Sequence, residues 1–85
     1  MKIGIAGSLE SNDVLITVRT SESLIIDIHS IVDLLYHDQI KAVVLATLKE
    51  EGIDKLEVTI EDKGALDYTI RARLLTAIRR MEDDQ

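Results

Sequence analysis

Two serines in the stretch AGSLESND, near the start of the chain, have surroundings that suggest chemistry. Ser8 and Ser11 lie close to Gly7 and to the carboxylates of Glu10 and Asp13. A serine hydroxyl can act as a nucleophile beside a base, or it can be the point at which a group is covalently attached. Alternating apolar and polar residues on both sides predict that the stretch is a polar turn between two strands. The pattern does not separate the two hydroxyls, because both belong to the same exposed turn.

Histidine and aspartate provide the other candidates for acid–base or metal chemistry. His29 and His37 are the two histidines of the chain, and their possible partners are Asp27, Asp33 and Asp38. Their spacing matches no known metal motif, and the serines show neither a G-x-S-x-G elbow nor a Ser-His-Asp set. We therefore interpret both histidines as solvated or simple hydrogen-bonding residues, and we predict neither a metal site nor a catalytic residue.

A band of four arginines occupies the C-terminal part of the chain, at Arg71, Arg73, Arg79 and Arg80. The simplest interpretation is a solvated helix face with acidic residues nearby. Because the guanidinium fork suits phosphate, Arg71 and Arg73 could alternatively contact a phosphate or a partner.

Composition narrows the class of protein. The length of 85 residues predicts one domain, residues 1–85, and a formal net charge of −6 argues against binding to nucleic acid or to an anionic membrane surface. The chain has no cysteine, so it has no thiol of its own. It shows no apolar run long enough to span a membrane and no signal-peptide pattern, and we expect it in the cytoplasm.

Alternating hydrophobicity predicts three strands in the first part of the chain. They cover residues 3–6, residues 14–19 and a run that starts at Leu24, after the polar turn TSES. We expect the third strand to be antiparallel to the second, and its end falls somewhere between Ser30 and Tyr36. One face of the third strand carries Ile26, Ile28, Ser30, Val32 and Leu34.

A helical period replaces the alternation in HDQIKAVVLATLKEEG. His37 or Asp38 can cap the start of this helix, and Gly52 suits the left-handed residue after its end. A fourth strand follows in IDKLEVTIE. The apolar residues of the helix are Ile40, Val43, Val44, Thr47 and Leu48, and those on one face of the strand are Leu56, Val58 and Ile60.

The turn DKG leads from the fourth strand into a last helix over about residues 65–81. Asp62 can cap this connection, and Gly64 permits a positive φ. The predicted order is therefore βββαβα, an α+β two-layer sandwich in which a small, mainly antiparallel sheet has two helices on one face. The apolar stripe of the last helix comprises Leu66, Ile70, Leu74, Ala77, Ile78 and Met81.

Two motifs give the chain a resemblance to a known family. GSLESND resembles the N-terminal signature of the citrate lyase acyl carrier proteins, in which G-[ST]-L-E-S-[GN]-D precedes a V-[LM]-I strand. DKGALD, with IRARL at residues 70–74, resembles the second signature of that family. The two matches occur in the right order in a chain of nearly the family's length. One departure is the short C-terminal tail, which runs longer in some members of the family.

The resemblance implies a function for the serine turn. The serine that matches Ser11 carries a phosphoribosyl-dephospho-coenzyme A arm in phosphodiester linkage, and the thiol of this arm would replace the missing cysteine. In the family, the alpha chain (acyl transferase) exchanges acetyl for citrate on the arm, and the beta chain (citryl lyase) releases oxaloacetate. A separate transferase attaches the arm. Glu10 and Asp13 would cap the turn or be recognised by that transferase.

The resemblance thus implies a non-catalytic carrier subunit of a lyase complex, and two rival functions remain. The acyl carrier chain of malonate decarboxylase uses the same arm, although its serine turn resembles GSGD more than LESND. An unmodified interaction domain is the other rival, and the acidic composition permits it. Ser23, in a sequence faintly similar to the Asp-Ser-Leu of ordinary acyl carriers, is rejected because it opens a strand.

Overall fold

Alternating hydrophobicity along the strands is matched by alternating burial, which places one face of a sheet in a core. The computed structural model describes residues 1–31 and 35–84. Its four strands and two helices follow the predicted order and form an α+β sandwich. The elements are β1 Ile3–Gly7, β2 Val14–Arg19, β3 Leu24–Ser30, α1 Leu35–Glu50, β4 Leu56–Asp62 and α2 Asp67–Glu82.

The strand order corrects one expectation. The sheet runs β1-β2-β4-β3, with β2 antiparallel to both of its neighbours and β3 parallel to β4. β3 therefore points in the direction opposite to β2, but it does not pair with β2, because β4 lies between them. The burial patterns agree with this arrangement: every second residue of β4 is fully buried, whereas no residue of β3 is. β3, which has no fully buried residue, lies at the edge of the sheet beyond β4.

The parity predicted for β3 is confirmed in the part of the chain that the structure describes. Ile26 and Ile28 are partly buried against the core, and Asp27 and His29 are exposed on the other face. Val32 and Leu34, predicted for the same face, and Asp33, a possible histidine partner, lie outside the described residues.

The bounds of α1 differ from the prediction at one end. The helix begins at Leu35, so His37 and Asp38 lie in its first turn and do not cap it. The predicted stop is confirmed: Gly52 has a φ of 69°, and the Ile53 N–H donates to the Leu48 carbonyl at 2.9 Å. This is the bonding of a Schellman motif, which satisfies the last carbonyls of a helix. The predicted apolar residues are buried, apart from the half-buried Val43.

The helix α2 begins two residues later than predicted, at Asp67. Leu66 is its N-cap residue and is 60% exposed, so its assignment to the apolar stripe is wrong. The reason is its position before the first turn, where a side chain does not follow the helical face. The other predicted stripe residues are the buried ones: Ile70, Leu74, Ala77, Ile78 and Met81.

A close contact between backbones brings α2 against β1. A Cβ added to Gly4 would lie 1.9 Å from the carbonyl oxygen of Ala77, so only glycine fits at this point. On the outer edge of β1, Arg80 Nη1 donates to the Ile5 carbonyl at 2.7 Å, and the Ile3 N–H donates to Asp84 Oδ2 at 3.0 Å. Side chains of α2 and of the residues after it therefore occupy part of an edge that would otherwise be open to another strand.

Candidate functional site

The β1–β2 connection is a tight turn that carries Ser11 near its tip. The Asp13 N–H donates to the Glu10 carbonyl at 3.1 Å, and Asn12 between them has a φ of 66°. Asparagine is one of the few residues other than glycine that adopts this left-handed conformation readily. Gly7, just before the turn, has a φ of 97°, and a Cβ there would meet the Val14 carbonyl oxygen at 1.8 Å. The turn is thus specified by local sequence.

Asp13 holds this turn to the rest of the molecule. Its carboxylate accepts a hydrogen bond from Ser8 Oγ at 2.7 Å and from the Val14 N–H at 2.8 Å. It also accepts two from Arg73 of α2, Nε at 3.1 Å and Nη2 at 3.0 Å. These bonds, the one from Arg73 first, lower the pKa of Asp13 to about 2. The carboxylate is therefore ionised at neutral pH and is a poor base for a neighbouring hydroxyl.

The β4–α2 turn pairs with the serine turn through its backbone. The Asn12 N–H donates to the Lys63 carbonyl at 2.7 Å, and the Lys63 N–H donates to the Asp13 carbonyl at 2.9 Å. Asp62, which is buried, fixes the second turn by accepting bonds from the Ala65 N–H at 2.9 Å and from Ser30 Oγ at 2.8 Å. The capping role predicted for Asp62 is confirmed, and the two motifs of the sequence meet in space.

The two candidate serines differ in what their hydroxyl groups do. Ser8 is half-buried, donates to Asp13 and accepts a hydrogen bond from the Glu10 N–H at 3.3 Å. Ser11 is exposed, and its hydroxyl makes no hydrogen bond within the described part of the chain. Of the two, Ser11 thus presents its oxygen to an approaching reagent, while the oxygen of Ser8 is engaged in holding the turn.

The arginine band does not form only a solvated face. Arg73 forms the ion pair with Asp13, and Arg71 Nη2 lies 2.7 Å from Glu50 Oε2, a contact that raises the pKa of Arg71. Arg80 binds the backbone of β1 as described above. Sequence reasoning missed the role of Arg73, because nothing in its spacing connects it to a residue sixty positions earlier. One sequence signal was available: Asp13 ends the first motif and Arg73 belongs to the second, so a contact between the motifs would bring the two residues together.

The histidines show simple polar contacts. His29 Nε2 is 2.9 Å from Asp27 Oδ2 on the exposed face of the sheet, and His37 Nδ1 is 3.9 Å from Asp38 Oδ1. Over residues 1–31 and 35–84, no group of three His, Cys, Asp or Glu side chains is placed to hold a metal ion. In the same ranges, none of the helices is long and apolar enough to cross a membrane.

Comparison with known proteins identifies relatives over nearly the whole chain. Residues 1–81 match the model of the ACP family, described as malonate decarboxylase delta subunit (MdcD). The chain is 43% identical to the citrate lyase acyl carrier protein of Haemophilus influenzae strain PittEE, over 98% of this chain and 87% of that protein. It is 43% identical to the protein of that name from Lactobacillus acidophilus, over 95% of this chain and 84% of that protein.

A solved structure with the same fold is part of a Pseudomonas malonate decarboxylase hetero-tetramer in complex with malonate. The similarity has a TM-score of 0.82 at 17% identity and covers 94% of this chain and 84% of that chain. At this identity the match shows the fold alone, whereas the closer sequence relatives share a function in their names. With both signature motifs brought together around one exposed serine, the chain belongs to the family of citrate lyase acyl carrier proteins.

Proposed function

We propose that this chain is a non-catalytic subunit of citrate lyase that carries acyl groups on an arm attached to Ser11 Oγ. The observation that carries the proposal is the contrast between the exposed hydroxyl of Ser11 and the engaged hydroxyl of Ser8. A covalent anchor needs an accessible oxygen on a surface turn, and such loops carry function more often than the elements that they connect.

The residues of the turn fit a phosphoribosyl-dephospho-coenzyme A arm. The arm supplies a terminal thiol that holds acyl groups as thioesters, and the chain itself has no cysteine. A bulky group at Ser11 would project away from the fold, because the Ser11 side chain is exposed. Asp13, Ser8 and Arg73 hold the base of the turn, so attachment at Ser11 leaves these bonds intact.

A carrier of this kind serves partners and has no active site of its own. We propose that residues 1–85 form a single carrier domain that meets the alpha chain (acyl transferase), the beta chain (citryl lyase) and the transferase that attaches the arm. A flexible arm keeps one acyl group at high effective concentration near separate active sites. The ionised state of Asp13, whose pKa is about 2, supports a non-catalytic role for the turn, since the carboxylate does not accept a proton at neutral pH.

The acyl carrier of malonate decarboxylase is the alternative, and one finding favours it. The matching family model bears the name of that subunit, whereas the similar solved structure, at 17% identity, bears on the fold alone. The citrate lyase relatives are closer in sequence, at 42% to 43% identity against 17%. We therefore place citrate lyase first, and purification of the tagged chain from its native host, with identification of the bound subunits, distinguishes the two.

Intact-mass measurement tests the anchor. The wild-type chain, Ser11→Ala and Ser8→Ala are each co-expressed with the attaching enzymes. We expect one arm per chain on the wild type and on Ser8→Ala, and an unmodified mass for Ser11→Ala. An arm on Ser11→Ala would show that the anchor is another residue. A wild-type chain that stays unmodified, both in this system and in its native host, would exclude the carrier function.

A further inference from the structure

Five connections and element ends meet at one end of the sandwich, which we call the serine end. In the sheet register, Gly7 pairs with Leu15, Val14 pairs with Asp62, and Asp62 pairs with Ser30. The Ser11 turn, the β4–α2 turn and the end of β3 therefore lie side by side. The first residues of α1 and α2 are at the same end, because Gln39 Nε2 bonds to the carboxylate of Asp67 at 3.1 and 3.2 Å.

Large apolar side chains surround the serine end without entering the core. Two depressions flank the β4–α2 turn: one of about 200 Å³ includes Tyr36 and Leu66, and one of about 230 Å³ includes Leu9 and Ile31. These four side chains and Tyr68 are between 54% and 72% exposed. We call Leu9, Ile31, Tyr36, Leu66 and Tyr68 the apolar rim.

The composition of the apolar rim is that of a binding surface. Clustered exposed apolar side chains on a small protein mark sites of interaction, and aromatic residues are enriched in such sites. Both aromatic residues of the chain, Tyr36 and Tyr68, belong to the rim. In the part of the chain that the structure describes, the core contains no aromatic side chain, so its packing does not need these two tyrosines.

Charge at the serine end indicates the chemistry of the occupant. Glu10 and Asp38 are exposed and acidic, and the side chain of Asp38 is 98% exposed. Arg73 is neutralised by its ion pair with Asp13, and Lys63 is a cation next to the turn. With a net charge of −6 on the whole chain, a facing surface that carries Lys or Arg around an apolar centre is the complementary one.

We propose that the apolar rim is the docking surface for the enzyme chains that act on the acyl group, and that they meet it with apolar side chains bordered by Lys and Arg. The proposal rests on the function proposed above, because an enzyme that processes an acyl group tethered to Ser11 must approach the serine end. The rim is small, which suits a carrier that must leave each partner after every transfer.

The test compares two exposed leucines in otherwise identical chains. Leu66 belongs to the rim, whereas Leu45 is 40% exposed in a depression shared with Leu24 and Gly52, away from the serine end. Leu66→Ser and Leu45→Ser are loaded with the arm, loading is verified by intact mass, and the KM for the loaded carrier is measured with the acyl transferase chain. We expect Leu66→Ser to raise KM roughly tenfold, because truncation of central apolar contacts has effects of this size, and Leu45→Ser to leave it nearly unchanged.

The possible results of this test distinguish failure of the docking surface from failure of the carrier function. If all chains are loaded and the two variants have equal KM values, the docking surface is wrong while the carrier function stands. If the wild type is never loaded, the carrier function fails first. If sedimentation shows a wild-type dimer that Leu66→Ser converts to a monomer, the rim binds a second copy and the proposal is overturned. A wild-type KM that does not rise with salt would overturn the predicted basic border.

Discussion

Asp13 is the residue on which the geometry of the Ser11 turn depends most. Its carboxylate joins the start of the turn at Ser8, its end at Val14 and the helix residue Arg73. Charge-assisted and forked bonds of this kind are the strongest that side chains form. The side chain of Ser11 makes none of these hydrogen bonds. A group attached to its hydroxyl would therefore leave the bonds that hold the turn unchanged.

Acid titration should reveal the ion pair. Because the pKa of Asp13 is lowered to about 2, its ionised form stabilises the folded chain above the unfolded value of about 3.9, and this contribution is lost as the pH falls toward 2. In Arg73→Ala we expect the pKa of Asp13 to rise toward the ordinary range. NMR of the carboxyl carbon of Asp13 measures the midpoint of its titration in the wild type and in Arg73→Ala. Arg71→Ala, which removes a different ion pair, should leave Asp13 unchanged, and an unshifted Asp13 in Arg73→Ala would contradict the assigned cause.

At the scale of elements, the placement of α2 depends on the absence of a side chain at Gly4. Besides the Ala77 oxygen, a Cβ there would lie 2.5 Å from the Met81 nitrogen, and both atoms belong to the backbone of α2. A backbone does not rotate away as a side chain does. The helix would have to move as a unit, and Arg73 would move with it.

Gly4→Ala should therefore be strongly destabilising, by about 3 kcal/mol, the upper part of the range for overpacked cores. Urea unfolding measures the change in the free energy of unfolding. Gly52→Ala is the matched control: its Cβ would meet nothing within 4 Å, so only its φ of 69° opposes the substitution, at about 1 kcal/mol. Equal losses for the two variants would show that α2 does not approach β1 as closely as described.

The sequence predicts the helices and strands better than it predicts which strands pair and which distant residues make contact. Alternation and helical spacing identify all four strands, both helices and the stop at Gly52, because these depend on residues close in the chain. The pairing of β3 with β4 could not be predicted, since the polar turn TSES is compatible with a hairpin and the competition is decided by the burial of Leu56, Val58 and Ile60. The contact between Asp13 and Arg73 was missed because the two residues are sixty positions apart and nothing local connects them.

The candidate site was predicted at the level of the turn and of its family. The motif selects Ser11, while physical pattern alone leaves Ser8 equivalent. The structure supplies a physical difference, because one hydroxyl is bonded and the other is exposed. Leu66 shows the opposite case: its spacing fits the stripe, but its place before the first turn of α2 leaves it in the apolar rim.

As a whole molecule, the chain combines an aliphatic core with a strongly acidic surface. Its net charge of −6 keeps copies apart at neutral pH, and the isoelectric point of the sequence is about 4.7. The exposed apolar rim is tolerable in solution partly because of this repulsion. Near the isoelectric point the repulsion disappears, although Asp13 is still ionised and its ion pair intact.

We expect a solubility minimum near pH 4.7 at which the protein remains folded. Light scattering across pH, with circular dichroism on the same samples, checks this. Glu82→Lys at the exposed end of α2 should move the minimum to higher pH, since it removes a negative charge and adds a positive one. Loss of helical ellipticity at the same pH as precipitation would mean that unfolding, not charge neutralisation, is the cause.

On the proposed function, the central place of β4 in the sheet bears on when the arm can be attached during synthesis. β4 is the last strand to leave the ribosome. Because β4 lies between β2 and β3 in the sheet, these two strands cannot be joined into one sheet until β4 has been made. The Ser11 turn, although made first, takes its backbone partners from Lys63 and its ion pair from Arg73. On the proposed function, the attaching enzyme meets a finished turn only on chains that are almost complete. A fragment that ends before Leu56 would contain Ser11 and still escape modification.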